Sequence, residues 1–367
     1  MEEGLYWIWF LELEKITAKQ KKMMLERFVT PKNIFSLSRE LLEKTNIFKK
    51  ENLNYLEQSK SLEKACYSMN YMEDQGIRMI TREDPLFPEM LKNIYMPPAG
   101  LFVKGDVTLL NTPIKIGIVG SRNPTVLGQK YAKVFAQSLA SVGITIVSGL
   151  AAGIDGQSHW GSIDELGRTI GVLGTGIDIC YPLSNQKLFD RMSKEALIIT
   201  EFNLGEKPLP YHFPQRNRII SGLSQGVLVI EARKKSGSLI TVNHALEQGK
   251  NVYVIPGDIS ASQWAGGNQL LKEGAKLVTD PKDILEDYVM INNHSEFEND
   301  KKTMESQEKV LINKDEQTLY NLIRKGYTTI DELVIHSELP VNTVNGLLTM
   351  MEIEEVIDIK YGNIVLL

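Results

Sequence analysis

The stretch KIGIVGSRNPTVLG, Lys115–Gly128, has the pattern of an apolar strand, a tight turn and a helix start. At such a turn the freed backbone N–H groups and the helix dipole point positive charge outward, so an anion is expected there. Gly120 lets the chain turn close to a ligand, Ser121 offers a hydroxyl, and Arg122 adds a permanent cation with two-pronged donor geometry. These three residues suit a phosphate. A dinucleotide loop would instead read G-x-G-x-x-G, with an acidic residue ending the second strand for the ribose. The second strand here ends in IVSGLAAGID, and Asp155 comes late enough to read as a cap. Phosphate binding is expected, without a dinucleotide cofactor.

Two further glycine-rich strand exits follow, SGLAAGID at Ser148–Asp155 and LGTGIDICYP ending at Pro182, with Lys187 just beyond in SNQKLF. In YHFPQRNRIISGLSQG, Arg216 and Arg218 flank Asn217 at a helix start, with Tyr211 and Phe213 beside them. Alternate cations can track successive phosphates while an aromatic ring stacks on a base. In EARKKSGSLITVNHALEQG, Arg233, Lys234 and Lys235 lead into Ser236, Gly237 and Ser238 at another helix start. Taken singly, each turn is more often fold punctuation, and the RNR segment alone reads sooner as a solvated face with Phe213 in the core. Together, cations on separate loops suit a chain of phosphates better than one nucleotide.

The elements around these loops follow from periodicity. IKIGIVG, GITIVSG, TIGVLG, ALIIT, GVLVIEA and NVYVIPG are short Ile/Val-rich runs separated by helix-length segments. Strands apolar on both faces belong to a parallel sheet covered by helices on each side, so residues 67–290 are expected to form a doubly wound, Rossmann-like α/β domain. Residues 1–66 carry helical patterns only and read as a small helical domain. The polar stretch 291–305 reads as a linker. Residues 306–367 show three helices and a terminal hairpin about Tyr361–Asn363, a winged-helix unit.

Composition narrows the function classes. No apolar run approaches the roughly 18 residues of a membrane span, and the acidic N-terminus does not read as a signal peptide, so a cytoplasmic protein is expected. Cys66 and Cys180, far apart, are expected to be small buried hydrophobes. The five histidines lack metal-ligand spacing, and no metal is expected. The net charge of −5 hides a local field, since residues 206–235 hold six cations against two carboxylates. By contrast, residues 307–367 hold five cations against ten acids, and the third helix there, VNTVNGLLTMMEIEE, has three glutamates and no Lys or Arg. A basic recognition helix for duplex DNA is not what this is; a protein contact or self-association fits better.

In this order and spacing, GSRNPT, SGLAAGID, LGTGIDICYP, FPQRNRIISGLS and KSGSLITVNHALEQGKNVYVIPG resemble the DNA-processing protein A family, DprA, also called Smf, over roughly residues 70–285. The resemblance implies an extended Rossmann-like domain flanked by an N-terminal helical domain of the sterile-alpha-motif type and a C-terminal winged helix. It implies a non-enzymatic protein that binds incoming single-stranded DNA in natural transformation and homologous recombination, protects it and helps load the RecA recombinase. Carried over by motif, the DNA groove would take Ser121, Arg122, Lys187, Arg216, Asn217, Arg218, Lys235, Ser236 and Gly237, and a homodimer would form around NQLLKEGAKLV, Asn268–Val278. Where relatives have a glycine-rich hairpin this chain has ELEKITAKQ, so its N-terminal domain is not expected to touch DNA. Two alternatives share the fold: a nucleotide sensor, and a phosphoribohydrolase with the motif GGxGTxxE. The second needs a carboxylate to support an oxocarbenium-like transition state, and GSLITVNH puts His244 in its place. Removal of residues 300–367 is expected to leave single-strand binding largely intact in a titration against the full chain.

Overall fold

The computed structural model describes residues 2–295, 314–337, 339–353, 357–360 and 363–366, and the chain divides into two compact units, 1–293 and 294–367. The first unit is built on nine strands: β1 (Arg78–Thr81), β2 (Gly100–Gly105), β3 (Lys115–Gly120), β4 (Thr145–Ser148), β5 (Thr169–Val172), β6 (Leu197–Thr200), β7 (Gly226–Ile230), β8 (Asn251–Val254) and β9 (Lys276–Leu277). Their order across the sheet is β1-β2-β6-β5-β4-β3-β7-β8-β9. The six expected Ile/Val runs are β3 to β8, all paired in parallel. The two strand-like stretches before Lys115 add β1, antiparallel to β2, and β2, antiparallel to β6, pairings that need no crossover helix.

Period-two alternation sorts side chains to two cores. Ile116 and Ile118 of β3 and Leu228 and Ile230 of β7 pack with Ala132, Phe135 and Leu139 of helix Val126–Ser141. Val119, Val227 and Val229 face the other way, onto Ile219, Ile220 and Leu223 of helix His212–Leu223 and Val242 of helix Ser238–Glu247. Each strand is therefore apolar on both faces.

The N-terminal helices run from Glu2–Leu11 to Glu63–Asp74, the last carrying helix past the expected boundary at residue 66. Trp7, Trp9 and Phe10 are buried in a core that also contains Phe102, Leu188 and Ile198, so the helical segment belongs to the same compact unit as the sheet. Thr17 starts helix Ala18–Phe28 with a capping box to Gln20. Cys66 departs from expectation: it is exposed, because Ala65, Ser68 and Met72 take the buried face of its helix. Cys180 is half-buried.

In the second unit, helices Lys314–Arg324, Ile330–Ser337 and Val341–Ile353 and the hairpin of β10 (Ile357–Lys360) and β11 (Asn363–Leu366) enclose Leu319, Leu333, Val344, Leu348 and Ile364. Three helices and a hairpin match the expected winged helix. Helix Lys282–Ser295 occupies the first residues of the expected linker; residues 296–305, and 361 and 362 of the expected turn, lie outside the described residues.

The strand order places the ligand crevice. From β3 the chain winds outward through β4 and β5 to β6, then returns to lay β7 on the other side of β3. Loops leaving β3 and β7 therefore diverge, and open α/β sheets bind ligands in the gap this leaves at the carboxyl ends of their strands.

Behind this gap, on helix Ile154–Glu165, His159 is wholly buried with Nδ1 2.7 Å from the Thr169 hydroxyl, which itself donates to the Ile146 carbonyl. Nδ1 therefore carries the proton. Burial, and next the charge of Arg216, hold the His159 pKa down to about 3, whereas an imidazole in the unfolded chain titrates near 6.5. Between those values the unfolded chain takes up a proton that the folded one refuses, so stability is full above about pH 6.5 and falls as pH drops toward 3. Urea midpoints measured from pH 7 to pH 4 are expected to show this decline, and His159→Asn to make it shallower.

Candidate nucleic-acid interface

A cleft of about 580 Å³ opens at the gap between β3 and β7. Its lining gathers Gly120, Ser121 and Arg122 from the first turn, Asp155 from the second loop, Phe213, Arg216 and Asn217 from helix His212–Leu223, and Arg233, Lys235, Ser236 and Gly237 after β7. Four cations stand against one carboxylate, Asp155.

The first turn is fixed from behind. Thr125 caps helix Val126–Ser141 through Gly128 N–H, while its own N–H (2.8 Å) and hydroxyl donate to the carboxylate of Glu231. Glu231, 1% exposed and in the left-handed region at φ +52°, directly follows β7. A Cβ on Gly128 would stand 2.5 Å from its carboxyl group, so only glycine leaves room for it. Nothing in EARKK marks this residue as special; its partner is 106 residues away. Within the turn the Ser121 hydroxyl accepts from Asn123 N–H at 3.1 Å.

The second loop is locked to the first. Ile154 N–H donates to the Ser121 carbonyl, and a Cβ on Gly153, at φ +81°, would come within 2.3 Å of the same oxygen. Asp155 accepts from Gly149 N–H at 3.1 Å, so it caps its own loop; burial raises its pKa, opposed by Arg216. Asn185 reaches across to donate to the carbonyls of Leu150 and Ala151.

Arg216 is the floor of the cleft. It is 3% exposed and its Nη1 donates to the carbonyls of Gly149 (2.7 Å) and Val172, joining the exits of β4 and β5. Burial brings its pKa down to about 10, with Asp155 opposing and Arg122 adding to the fall, so it stays cationic at neutral pH. This corrects the expectation of a free surface cation: Arg216 contributes field from below. Arg218 departs further. Its Nη2 is 2.6 Å from Glu201 Oε2 in a buried ion pair, and it does not line the cleft. Three residues along the helix, Ser221 is also buried, so this face of the helix turns to the interior.

The exposed cations of the lining are Arg122, Arg233 and Lys235. Arg122 holds its guanidinium 5.3 Å from the centre of the Phe213 ring, and the Tyr181 ring lies 5.5 Å from Phe213. Cation and rings thus form one continuous platform on which a base can stack. Asn217 Nδ2 reaches the Gly237 carbonyl at 3.5 Å, and the Ser236 hydroxyl accepts from Ser238 N–H, shaping the loop after β7. Lys187 is exposed in the first turn of helix Gln186–Glu195 but outside the lining, as is Lys234. His244 sits elsewhere, paired with Glu247 at 3.4 Å. Among the described residues no group of His, Cys, Asp and Glu could hold a metal, and no helix is long and apolar enough to cross a membrane.

A doubly wound sheet with an arginine-bearing turn at its switch point, faced by basic loops, defines an α/β protein of Rossmann-like class with a basic cleft. Residues 78–289 match the family model of DNA recombination-mediator protein A, and residues 305–363 that of the DprA winged helix domain. The chain belongs to this family. It is 47% identical over 214 residues to the DNA processing protein DprA of Bacillus subtilis, covering 58% of this chain and 72% of that one. The X-ray structure of DNA processing protein A from Streptococcus pneumoniae superposes with a TM-score of 0.68 at 36% identity, covering 77% of this chain and 96% of that one. The Helicobacter pylori DNA processing protein A, described for its single-stranded DNA binding mode, gives 0.54 at 28% identity, over 59% and 96%.

Arg216→Ala is expected to cost about 2–5 kcal/mol of stability, because it leaves the buried carbonyls of Gly149 and Val172 without their donor. Arg122→Ala, at an exposed position, is expected to stay within about 0.5 kcal/mol of the parent. Urea unfolding of the two variants checks the contrast.

Proposed function

We propose that this protein binds single-stranded DNA in the cleft between β3 and β7 without converting it chemically, shields it in the cytoplasm, and helps load the RecA recombinase in natural transformation and homologous recombination. The observation that carries the reading is the row of exposed cations, Arg122, Arg233 and Lys235, beside the Arg122–Phe213–Tyr181 platform. Separate loops supply the charges, so successive phosphates can be met while bases stack, which is how strands are held without sequence preference. The single-stranded DNA mode described for the Helicobacter pylori relative supports it. A binding rather than catalytic role fits Asp155, the only carboxylate among the described lining residues, since Gly149 and Arg216 already engage it.

Gly120, Ser121, Arg122, Phe213, Asn217, Lys235, Ser236 and Gly237 form the proposed binding surface, with Arg216 beneath them. Arg218 shapes the helix, and Lys187 meets the strand only where it leaves the cleft. A homodimer through the β9 edge is part of the proposal, and the exposure of Leu277, 52%, at the border of the sheet supports it.

Arg122→Ala and Lys235→Ala are each expected to weaken oligothymidine binding about tenfold, the worth of one charge-assisted hydrogen bond. Each substitution that removes a phosphate partner should also flatten the log-log salt dependence by about 0.7. Parent-like affinity in both variants would place the strand elsewhere. Tight binding of a mononucleotide with none of the oligomer would favour a nucleotide sensor instead.

A further inference from the structure

Glu231 puts a carboxylate directly behind a turn whose cleft is lined with cations, where charge alone would work against an incoming phosphate. Its bonds show what it does instead. Oε2 accepts from Thr125 N–H at 2.8 Å and Oε1 from the Thr125 hydroxyl, which in turn accepts from Gly128 N–H at 3.1 Å. Two donors that a helix start would turn to an anion, the N–H groups of Thr125 and Gly128, are therefore taken up inside the protein. A carboxylate of the chain itself stands where the strand-turn-helix pattern calls for a phosphate.

The same residue ties the two walls of the cleft together. Gly120, at the end of β3, pairs with Ile230, the last residue of β7, and Glu231 follows. On the first wall, Arg122 lies between two held points: the Ser121 carbonyl, which accepts from Ile154 N–H at 3.1 Å, and Thr125, held by Glu231. Between them Asn123 N–H is bonded to the Ser121 hydroxyl, and the ring of Pro124 fixes one backbone angle. On the second wall, the Ala232 carbonyl beside Glu231 accepts from Gly266 N–H at 2.7 Å, and Arg233 and Lys235 line the cleft just after it. Glu231 itself holds φ +52°, a shape that side chains seldom adopt and keep only where their surroundings enforce it.

We propose that Glu231 is a positioning residue for strand binding. It satisfies the turn from within, leaves the phosphate to the Arg122 side chain, and fixes the reach from Arg122 to Arg233 and Lys235, so that successive phosphates are met in one register. This rests on the reading of the basic cleft as the strand site. Charge and position predict opposite signs. A chain that loses this carboxylate gains net positive charge and should hold a polyanion more tightly if the field decides, but less tightly if placement decides.

Titration of the full chain with oligothymidine is the test, for the parent, Glu231→Gln, Arg122→Ala and the double variant, with melting temperatures as a check of folding. Glu231→Gln is expected to weaken binding by about three- to tenfold despite the added positive charge. In the Arg122→Ala background the same change should cost less than about twofold, because the side chain through which it acts is gone. Thr125→Val removes one of the two hydrogen bonds and leaves every charge in place; it should lose affinity in the same direction, and Thr125→Ser, which restores the hydroxyl, should recover it. This second pair decides the matter if Glu231→Gln does not fold. A parent that binds oligothymidine beside a Glu231→Gln chain that binds as tightly or more tightly would overturn the proposal. So would losses from Glu231→Gln and Arg122→Ala that multiply in the double variant, or a folded Thr125→Val with parent affinity. A parent that does not bind oligothymidine would overturn the strand reading itself.

Discussion

The organisation of the site depends on one buried guanidinium. Arg216 joins the carbonyls of Gly149 and Val172, the ends of two adjacent strands, and faces Asp155 from beneath the loop that starts the next helix. Glycine at 149 is what lets it approach, since a Cβ there would sit 2.4 Å from its nitrogens. Its charge is desolvated and turned upward, so it acts on the cleft through a medium of lower effective dielectric than water. The exposed arginines and lysine above it are thus arranged around a charge that cannot move away.

The same helix reconciles two demands. Its start must present an aromatic ring and an amide to the basic cleft, while its body must bury Ile219, Ile220 and Leu223 against the sheet. Arg218 resolves the conflict on its own turn by pairing with Glu201, just past the end of β6. Two arginines two residues apart therefore serve opposite sides of one helix, one beneath the basic cleft and one paired with Glu201.

The strands are legible in the sequence because Ile/Val runs bounded by glycine turns have few other readings, and the exposed cations because Arg122 and Lys235 stand in short polar loops beside helix starts. The roles of Arg216 and Arg218 are not, because what buries them comes from 67 and 17 residues away. Sequence spacing shows charge but not its partner. Glu231 is hidden for the same reason, in a segment whose charged neighbours are all basic. Cys66 is misplaced because residue type alone does not reveal which side of a helix faces in.

The carboxylate of Glu231 sits behind the basic turn, sealed from solvent, holding Thr125 by two hydrogen bonds. Interactions of that kind are hardly screened by dissolved ions, whereas the attraction of exposed cations for phosphates is. The turn should therefore keep one shape from dilute buffer to high salt. Ionic strength then acts on occupancy alone, and the binding surface behaves as a rigid electrode whose potential is dialled by the medium while its geometry stays constant.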